Sequence, residues 1–289
     1  MSYQSMEEAR LRCEKEGIAF WKAVQLEDAA ERDVTEEASW KEMKRMWQAM
    51  LDAIEVYDPN LVSGSGLVGK EGGLMQEYQK KGDTLCGDFM AKVMTNALKM
   101  GCNNACMKRI VAAPTAGACG VLPAVLVTYY REYGVPEEKM IEAMYVAAGV
   151  GQIIANRAYL AGASGGCQAE IGSGSGMAAA AICYVRGGST EQIGDACAMA
   201  LKNLMGLVCD PVGGLVEVPC VKRNVGGAVN ALAAADMALA GITSKIPVDQ
   251  VIDAMKEVGD KMDVTLRETG AGGVAATPCA AEIVERLGM

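Results

Sequence analysis

The sequence predicts an all-α fold, a single helical domain with glycine-rich loops. Apolar residues make up 51% of the chain but aromatics only 5%. The abundance of Ala, Gly and Met suits helices that approach closely, rather than a sheet rich in β-branched and aromatic side chains. No run alternates with period two, while helix start and stop signals recur throughout. No low-complexity linker or convincing internal repeat divides the 289 residues, a length that suits one large domain or two modest ones. The expected layout is an N-terminal helical arm over 1–60 and a helical catalytic domain over 61–289.

The elements follow from local signals. Asp33 with Glu36 fits a capping box, and Trp40, Met43, Trp47, Met50, Leu51 and Ile54 then recur at helical spacing as a core or partner-facing stripe. Asp58-Pro59 ends that helix, and a glycine-rich loop runs from Ser63 to Gly73. A helix is expected from about Cys86 to Met100, stopped by Gly101, and another from near Gly120. Pro136 has the look of a first-turn proline for a helix through Ala148. Met177 to Val185 is apolar enough to be buried all round. Ser189-Thr190-Glu191-Gln192 opens a helix to about Met205, Pro247 starts one through Met262, and Thr277-Pro278 caps a last one closed by Gly288.

Composition excludes several function classes. A formal charge of −9 argues against nucleic acid and anionic membrane surfaces as partners. The start, Met1 to Glu8, shows no basic region followed by an apolar run, so no signal peptide is expected. Val229 to Ile242 contains Asp236 and is too short to span a bilayer. The chain is therefore expected in the cytoplasm, its eleven cysteines reduced and mostly packing residues. It contains no histidine, so no Ser-His or Cys-His pair, His zinc site or haem-ligating histidine can come from it alone.

Two glycine-rich segments imitate known motifs and fail. Gly64 to Lys70 matches seven positions of a phosphate-binding loop, but Glu71 stands where a magnesium-binding hydroxyl belongs and no buried strand leads in. A loop whose amides and Ser63/Ser65 hydroxyls hold a small carboxylate is the better functional reading, beside that of a merely flexible loop. Gly172-Ser173-Gly174-Ser175-Gly176 lacks dinucleotide-loop spacing and suits close backbone approach near Cys167. Cys102 and Cys106 lie one helical turn apart, but Arg109 stands where a radical-enzyme motif needs its third cysteine, and core packing is favoured.

Cys167, Cys209 and Cys220 are different. Each sits next to or near glycine or proline, hence on a turn at the end of an element, and Lys222-Arg223 follows the last. Three such thiols suit an iron–sulfur cluster held at three corners, with the cations offsetting its charge. On spacing alone, three unrelated turn cysteines are an equal reading. A fourth protein ligand would favour an electron carrier or a structural cluster, and Cys279, beside Pro278, is the remaining thiol on an obvious turn.

The surrounding strings carry a resemblance. Gly162 to Ser173, Gly206 to Val212, Gly214 to Asn224, Ala113 to Gly117 and Leu266 to Gly270 resemble the alpha chain of iron–sulfur-dependent L-serine dehydratase, over nearly the whole chain from about residue 60 onward. The resemblance implies a helical fold and a 4Fe-4S cluster on Cys167, Cys209 and Cys220. It also implies deamination of L-serine to pyruvate and ammonia, with an open iron as Lewis acid for the departing hydroxyl. Ser63, Ser65, Gly66, Thr115, Ala116 and Gly117, with Arg223 as a cation, are the expected carboxylate-binding positions. Lys222, Ser63 or Ser65 is expected to supply the base, or else a partner's histidine. Two departures stand out: Ser65 and Val68 replace two threonines of the family's loop, and Lys70 follows Gly69. The family's second domain, with its Ser-His-Thr motif, has no counterpart here, which implies a separate beta chain. Rival readings are cluster-dependent removal of sulfide from cysteine, an electron-transfer or structural iron–sulfur subunit, and a pyridoxal-phosphate dehydratase. The last lacks a phosphate loop paired with a convincing Schiff-base lysine.

Overall fold

A computed structural model describes residues 3–289, so Met1 and Ser2, where the reading of the N-terminus begins, lie outside it. Every regular element among the described residues is helical, and the one β-bridge is an isolated parallel pairing of Cys209 with Arg267. The helices in order are α1 (Met6–Glu16), α2 (Phe20–Glu31), α3 (Glu36–Glu55), α4 (Glu71–Gln79), α5 (Gly87–Ala105), α6 (Val121–Tyr133) and α7 (Glu137–Arg157). They continue with the short α8 (Gly162–Gly165), α9 (Ser173–Val185), α10 (Thr190–Asn203), α11 (Cys220–Leu239), α12 (Val248–Lys261) and α13 (Pro278–Arg286). A π-helical turn over Gln168–Gly172 feeds directly into α9.

The centre of the molecule is α9. Its side chains from Ser173 to Cys183 are all buried, and α7, α10, α11 and α6 pack around it. Four consecutive alanines, Ala178 to Ala181, let those neighbours come close. The glycine–serine run beside Cys167 is thus helix rather than loop, its small residues packed against neighbouring side chains such as those of Val121, Cys197 and Leu201.

Side-chain caps set the starts of α1, α3, α10 and α13. Ser189 opens α10 as expected and makes a capping box with Gln192, and Thr277 caps α13 with Pro278 in its first turn. At α3 the cap is Thr35, whose hydroxyl accepts from the Ala38 amide, while Asp33 takes a left-handed turn conformation at φ 53°. Two helices run further than the sequence predicts. Helix α5 passes through Gly101 to Ala105 because that glycine faces Val221 of α11, whose Cα would lie 3.2 Å from an added Cβ. Helix α7 likewise continues past Ala148 to Arg157, its Gly149 and Gly151 turned towards the side chains of Val24 and Met177.

The aromatic stripe of α3 is an internal surface, not a docking face. Trp47 and Met50 are completely buried, the Trp40 ring stacks on Tyr145 with centroids 6.1 Å apart, and Trp47 meets Tyr130 edge-on at 5.5 Å. Helices α2 and α3 pack on α7, so the core is continuous from Tyr3 to Met255. Removing the Trp47 side chain would cost about 3–5 kcal/mol. No helix among the described residues is long and apolar enough to cross a membrane.

Candidate active site

Three segments converge beside the N-terminus of α11: the turn after α8, the stretch between α10 and α11, and the loop after α12. Cys167 lies between α8 and the π-helical turn, and the next residue fixes it there. The Gln168 backbone amide donates to Leu207 O at 2.9 Å. Its side chain accepts from the Gly206 amide and donates to Met255 O, both at 2.9 Å. Cys209 is held by its bridge, its amide donating to Leu266 O at 2.8 Å and its carbonyl accepting from the Glu268 amide at 2.7 Å. Cys220 is the first residue of α11.

All three thiols are buried. The Cys209 thiol donates to the Cys167 sulfur, and despite burial this contact and Arg223 hold Cys167 below its ordinary value. The same contact and burial push Cys209 upward. Burial, with the charge of Cys167, takes Cys220 up to about 12. Arg223 also donates to Val208 O at 2.7 Å and pairs with Asp210 at 2.7 Å, while Asp210 accepts from the Val274 amide at 2.7 Å. The guanidinium therefore ties the Cys209 segment, the loop after α12 and Cys167 together. Lys222 points elsewhere. Its side chain is 59% exposed and meets Glu71 at 3.1 Å.

The two hydroxyl loops close on carboxylates, a buried Glu217 and a half-buried Glu170. Ser63 Oγ and Ser65 Oγ both donate to Glu217 Oε2, at 2.7 and 2.5 Å. The loop shapes itself by a Ser63 amide bond to Val68 O at 2.8 Å and a tight turn at Gly66, whose φ of 79° favours glycine. A groove of about 460 Å³ runs along its outer side, lined by Gly66, Leu67, Lys70, Leu74 and Lys222 among others. In the second loop, Thr115 donates to Glu170 Oε1, and the Gly117 amide also serves that carboxylate. Gly117 is required there, since a Cβ would lie 2.4 Å from Glu170 Oε1. Burial pushes Glu170 above the usual carboxylate range against those donors, and Glu268 adds to the rise. Asn224, one turn into α11 from Cys220, accepts from the Gly120 amide at 2.8 Å and donates to Gly117 O at 2.7 Å. Ala116 is exposed at the loop tip.

The structure thus brings Cys167, Cys209 and Arg223 into direct contact, and sets Cys220 within electrostatic reach of Cys167 and Arg223. It sets Thr115 and Gly117 against Glu170 and leaves Ser63 and Ser65 on Glu217. Cys102 lies apart, buried with Val68 and Val221, its thiol donating to Glu71 at 3.4 Å; Cys279 is exposed. Sequence reasoning missed the acids Glu170, Asp210 and Glu217 and the clamp Asn224. A signal was present: each of the three cysteines has an acid within three positions. Among the described residues no three His, Cys, Asp or Glu side chains close to the spacing of a single metal ion. An all-thiol donor set drawn from three separate segments fits a cluster better than a lone ion.

Residues 15–275 match the family model of the serine dehydratase alpha chain, a span that holds all three thiols and both loops. The chain belongs to the serine dehydratase alpha chain family. Within it, the chain is 46% identical over 262 residues to a "Probable L-serine dehydratase, alpha chain" of Bacillus subtilis (strain 168), covering 90% of this chain and 87% of the relative. It is 53% identical over 191 residues to a protein of the same name from Latilactobacillus sakei, covering 66% of this chain and 91% of that one. It is 40% identical over 270 residues to the "L-serine dehydratase, alpha chain" of Peptoniphilus asaccharolyticus, covering 92% and 91%.

Proposed function

We propose that this chain is the catalytic alpha chain of an L-serine ammonia-lyase, releasing pyruvate and ammonia, and that it acts with a separate beta chain. The observation that carries the reading is the convergence of Cys167, Cys209, Cys220 and Arg223 beside two loops that present hydroxyls and amides to carboxylates.

Cys167, Cys209 and Cys220 would hold a 4Fe-4S cluster, whose open iron would supply a Lewis acid for the serine hydroxyl. The rest of the chemistry belongs to side chains on the page. Arg223, placed on Cys167, offsets the negative charge of three thiolates. This role fits its geometry better than substrate binding, because Asp210 and Val208 already engage it. In the chain alone Ser63 and Ser65 donate to Glu217, the Gly66 amide to Ser63 O, and Thr115 and Gly117 to Glu170. A substrate carboxylate would be oriented here by taking over the serine and threonine hydroxyls from those acids, beside Ala116 at the loop tip. Such fixed donors also stabilise carbanion-like charge as the Cα proton leaves.

For the base, the loop serines are favoured over Lys222. Each hydroxyl already donates to Glu217, a buried proton acceptor, which is what activation of a serine requires. Glu170, kept protonated more readily than an ordinary carboxyl, sits beside the thiols to hold or give a proton near the leaving hydroxyl. The absence of histidine leaves an imidazole to the beta chain.

The test is anaerobic reconstitution with iron and sulfide, followed by assays of pyruvate from L-serine and of sulfide from L-cysteine, with and without a beta chain. The expected result is about four irons per chain, pyruvate formation from serine and strong stimulation by the beta chain. Iron bound without turnover of either amino acid would point to a structural cluster.

A further inference from the structure

A cavity of about 240 Å³ lies between α4, α5 and α6, behind the Ser63–Gly73 loop. Its wall is polar and carries three cations, Lys92, Lys99 and Arg131, in a chain whose net charge is −9. Two of them are matched: Lys92 by Asp88 and by Glu132, the one carboxylate of the wall itself, each at 2.7 Å, and Arg131 by Glu55. Lys99 is not. It is half-buried and makes no ion pair among the described residues; burial holds its ammonium below the ordinary lysine value, opposed by the charge of Glu55 and helped by Arg131 and Lys80. The hydroxyl of Thr128 is 2% exposed and accepts from Asn96 at 2.8 Å, but its own proton has no acceptor among the described residues. An unpaired ammonium and an unspent buried hydroxyl facing one polar cavity form a donor set that lacks its acceptor.

We propose that this cavity binds a small oxyanion, a carboxylate or phosphate, through Lys99 and Thr128, and that occupancy acts on the Ser63–Gly73 loop. The connection is direct. Lys99 Nζ lies 5.8 Å from the centre of the Tyr57 ring. The Tyr57 hydroxyl donates to Gly69 O at 2.8 Å and accepts from the Gly73 amide at 2.9 Å, so it fastens the loop to the start of α4. Gly72 packs so tightly on Lys99 that an added Cβ would lie 2.7 Å from its Cγ. An anion that fixes the Lys99 ammonium therefore also fixes the support on which the loop and α4 rest.

Binding here is independent of the reaction proposed above, so it is measured on the full chain without substrate. Inorganic phosphate and pyruvate, titrated separately by calorimetry, distinguish the two kinds of oxyanion. Saturable binding of at least one is expected, weakened about tenfold or more, or ~1.4 kcal/mol, in both Lys99→Met and Thr128→Val, and unchanged in Lys261→Gln, an exposed lysine elsewhere. Lys99→Met keeps the packed stem, and unchanged circular dichroism shows that each variant folds. Hydrogen exchange reads the coupling: the bound anion should slow exchange at Gly73 in the parent chain and not in Lys99→Met. No saturable binding of either anion, or equal weakening in Lys261→Gln, overturns the site. Binding with unchanged exchange at Gly73 overturns the coupling.

Discussion

The two hydroxyl loops solve one problem in opposite settings. The Ala113–Gly117 loop is fixed: Asn224 clamps it to α11, Glu170 fills the space over Gly117, and the thiols lie just beyond. The Ser63–Gly69 loop stands at an edge, with an open groove outside and Glu217, Glu71 and Tyr57 as its anchors. The first cannot shift without moving the thiol wall, whereas the second can adjust to what it holds. On the function proposed above, the fixed loop would lie next to the bond that breaks and the edge loop where the substrate is selected.

The largest effect tests the wall that both loops serve. Cys209→Ser should lose the cluster's visible absorbance and all measurable turnover, while Cys102→Ser should keep its iron. Full iron content in Cys209→Ser would remove the thiol wall from the comparison altogether. Next comes a paired substitution, one in each loop. Gly117→Ala drives a methyl into the Glu170 carboxylate, whereas a Cβ on Gly64 meets nothing within 4 Å. A displacement of this size near the reacting atoms costs about a hundredfold in kcat/KM, so Gly117→Ala should fall that far and Gly64→Ala should stay close to the parent. Equal losses would mean that the loops do not differ as described.

A smaller effect is expected from Ser65→Ala, which takes one of two donors from Glu217. It should lower kcat/KM by about 10–100-fold, in the range of a lost general-base contribution, with the larger part in kcat if the hydroxyl handles the proton and in KM if it only holds the carboxylate. The smallest effect concerns the anchor at the end of the edge loop. Burial alone would raise Glu71, but the amides of Gly69 and Glu71 and the Lys222 ammonium hold it below its ordinary 4.5. A depressed carboxyl stabilises the fold above its unfolded value and loses that stability as pH falls through its folded value. Glu71→Gln should therefore be less stable by about 1 kcal/mol at pH 7, and the gap in urea midpoints should close below about pH 4. A gap that stays constant down to pH 3 would show that the anchor is not the ionised carboxylate.

Much of this was legible in the sequence, and the misses have particular causes. The helices at Ser189 and Thr277 announce themselves through caps, and that at Pro247 through a proline start, all of them signals within one turn of chain. Gly101 and Gly149 were read as stops, or lay beyond an expected stop, because a glycine required by a neighbouring helix looks the same in sequence as one that ends a helix. The stripe of α3 was read partly as a docking face, yet Trp47 is fully buried, and periodicity cannot say whether a helix faces its own core or a partner. Lys222 sits beside Arg223 in the sequence, but successive positions on a helix diverge by about 100°. One therefore reaches the thiols and the other the rim.

The sequence by itself determined the all-helical class, through abundant small residues and the lack of two-residue alternation, and placed three cysteines on turns, because glycine and proline act on the backbone within a few residues. Only the tertiary structure decided which groups serve one another. Ser63 and Glu217 are 154 positions apart, Thr115 and Glu170 are 55 apart, and Gly120 and Asn224 are 104 apart. Side-chain chemistry at those separations meets only after the helices have packed, and the helices pack through their apolar faces, which say nothing about the polar groups at their ends.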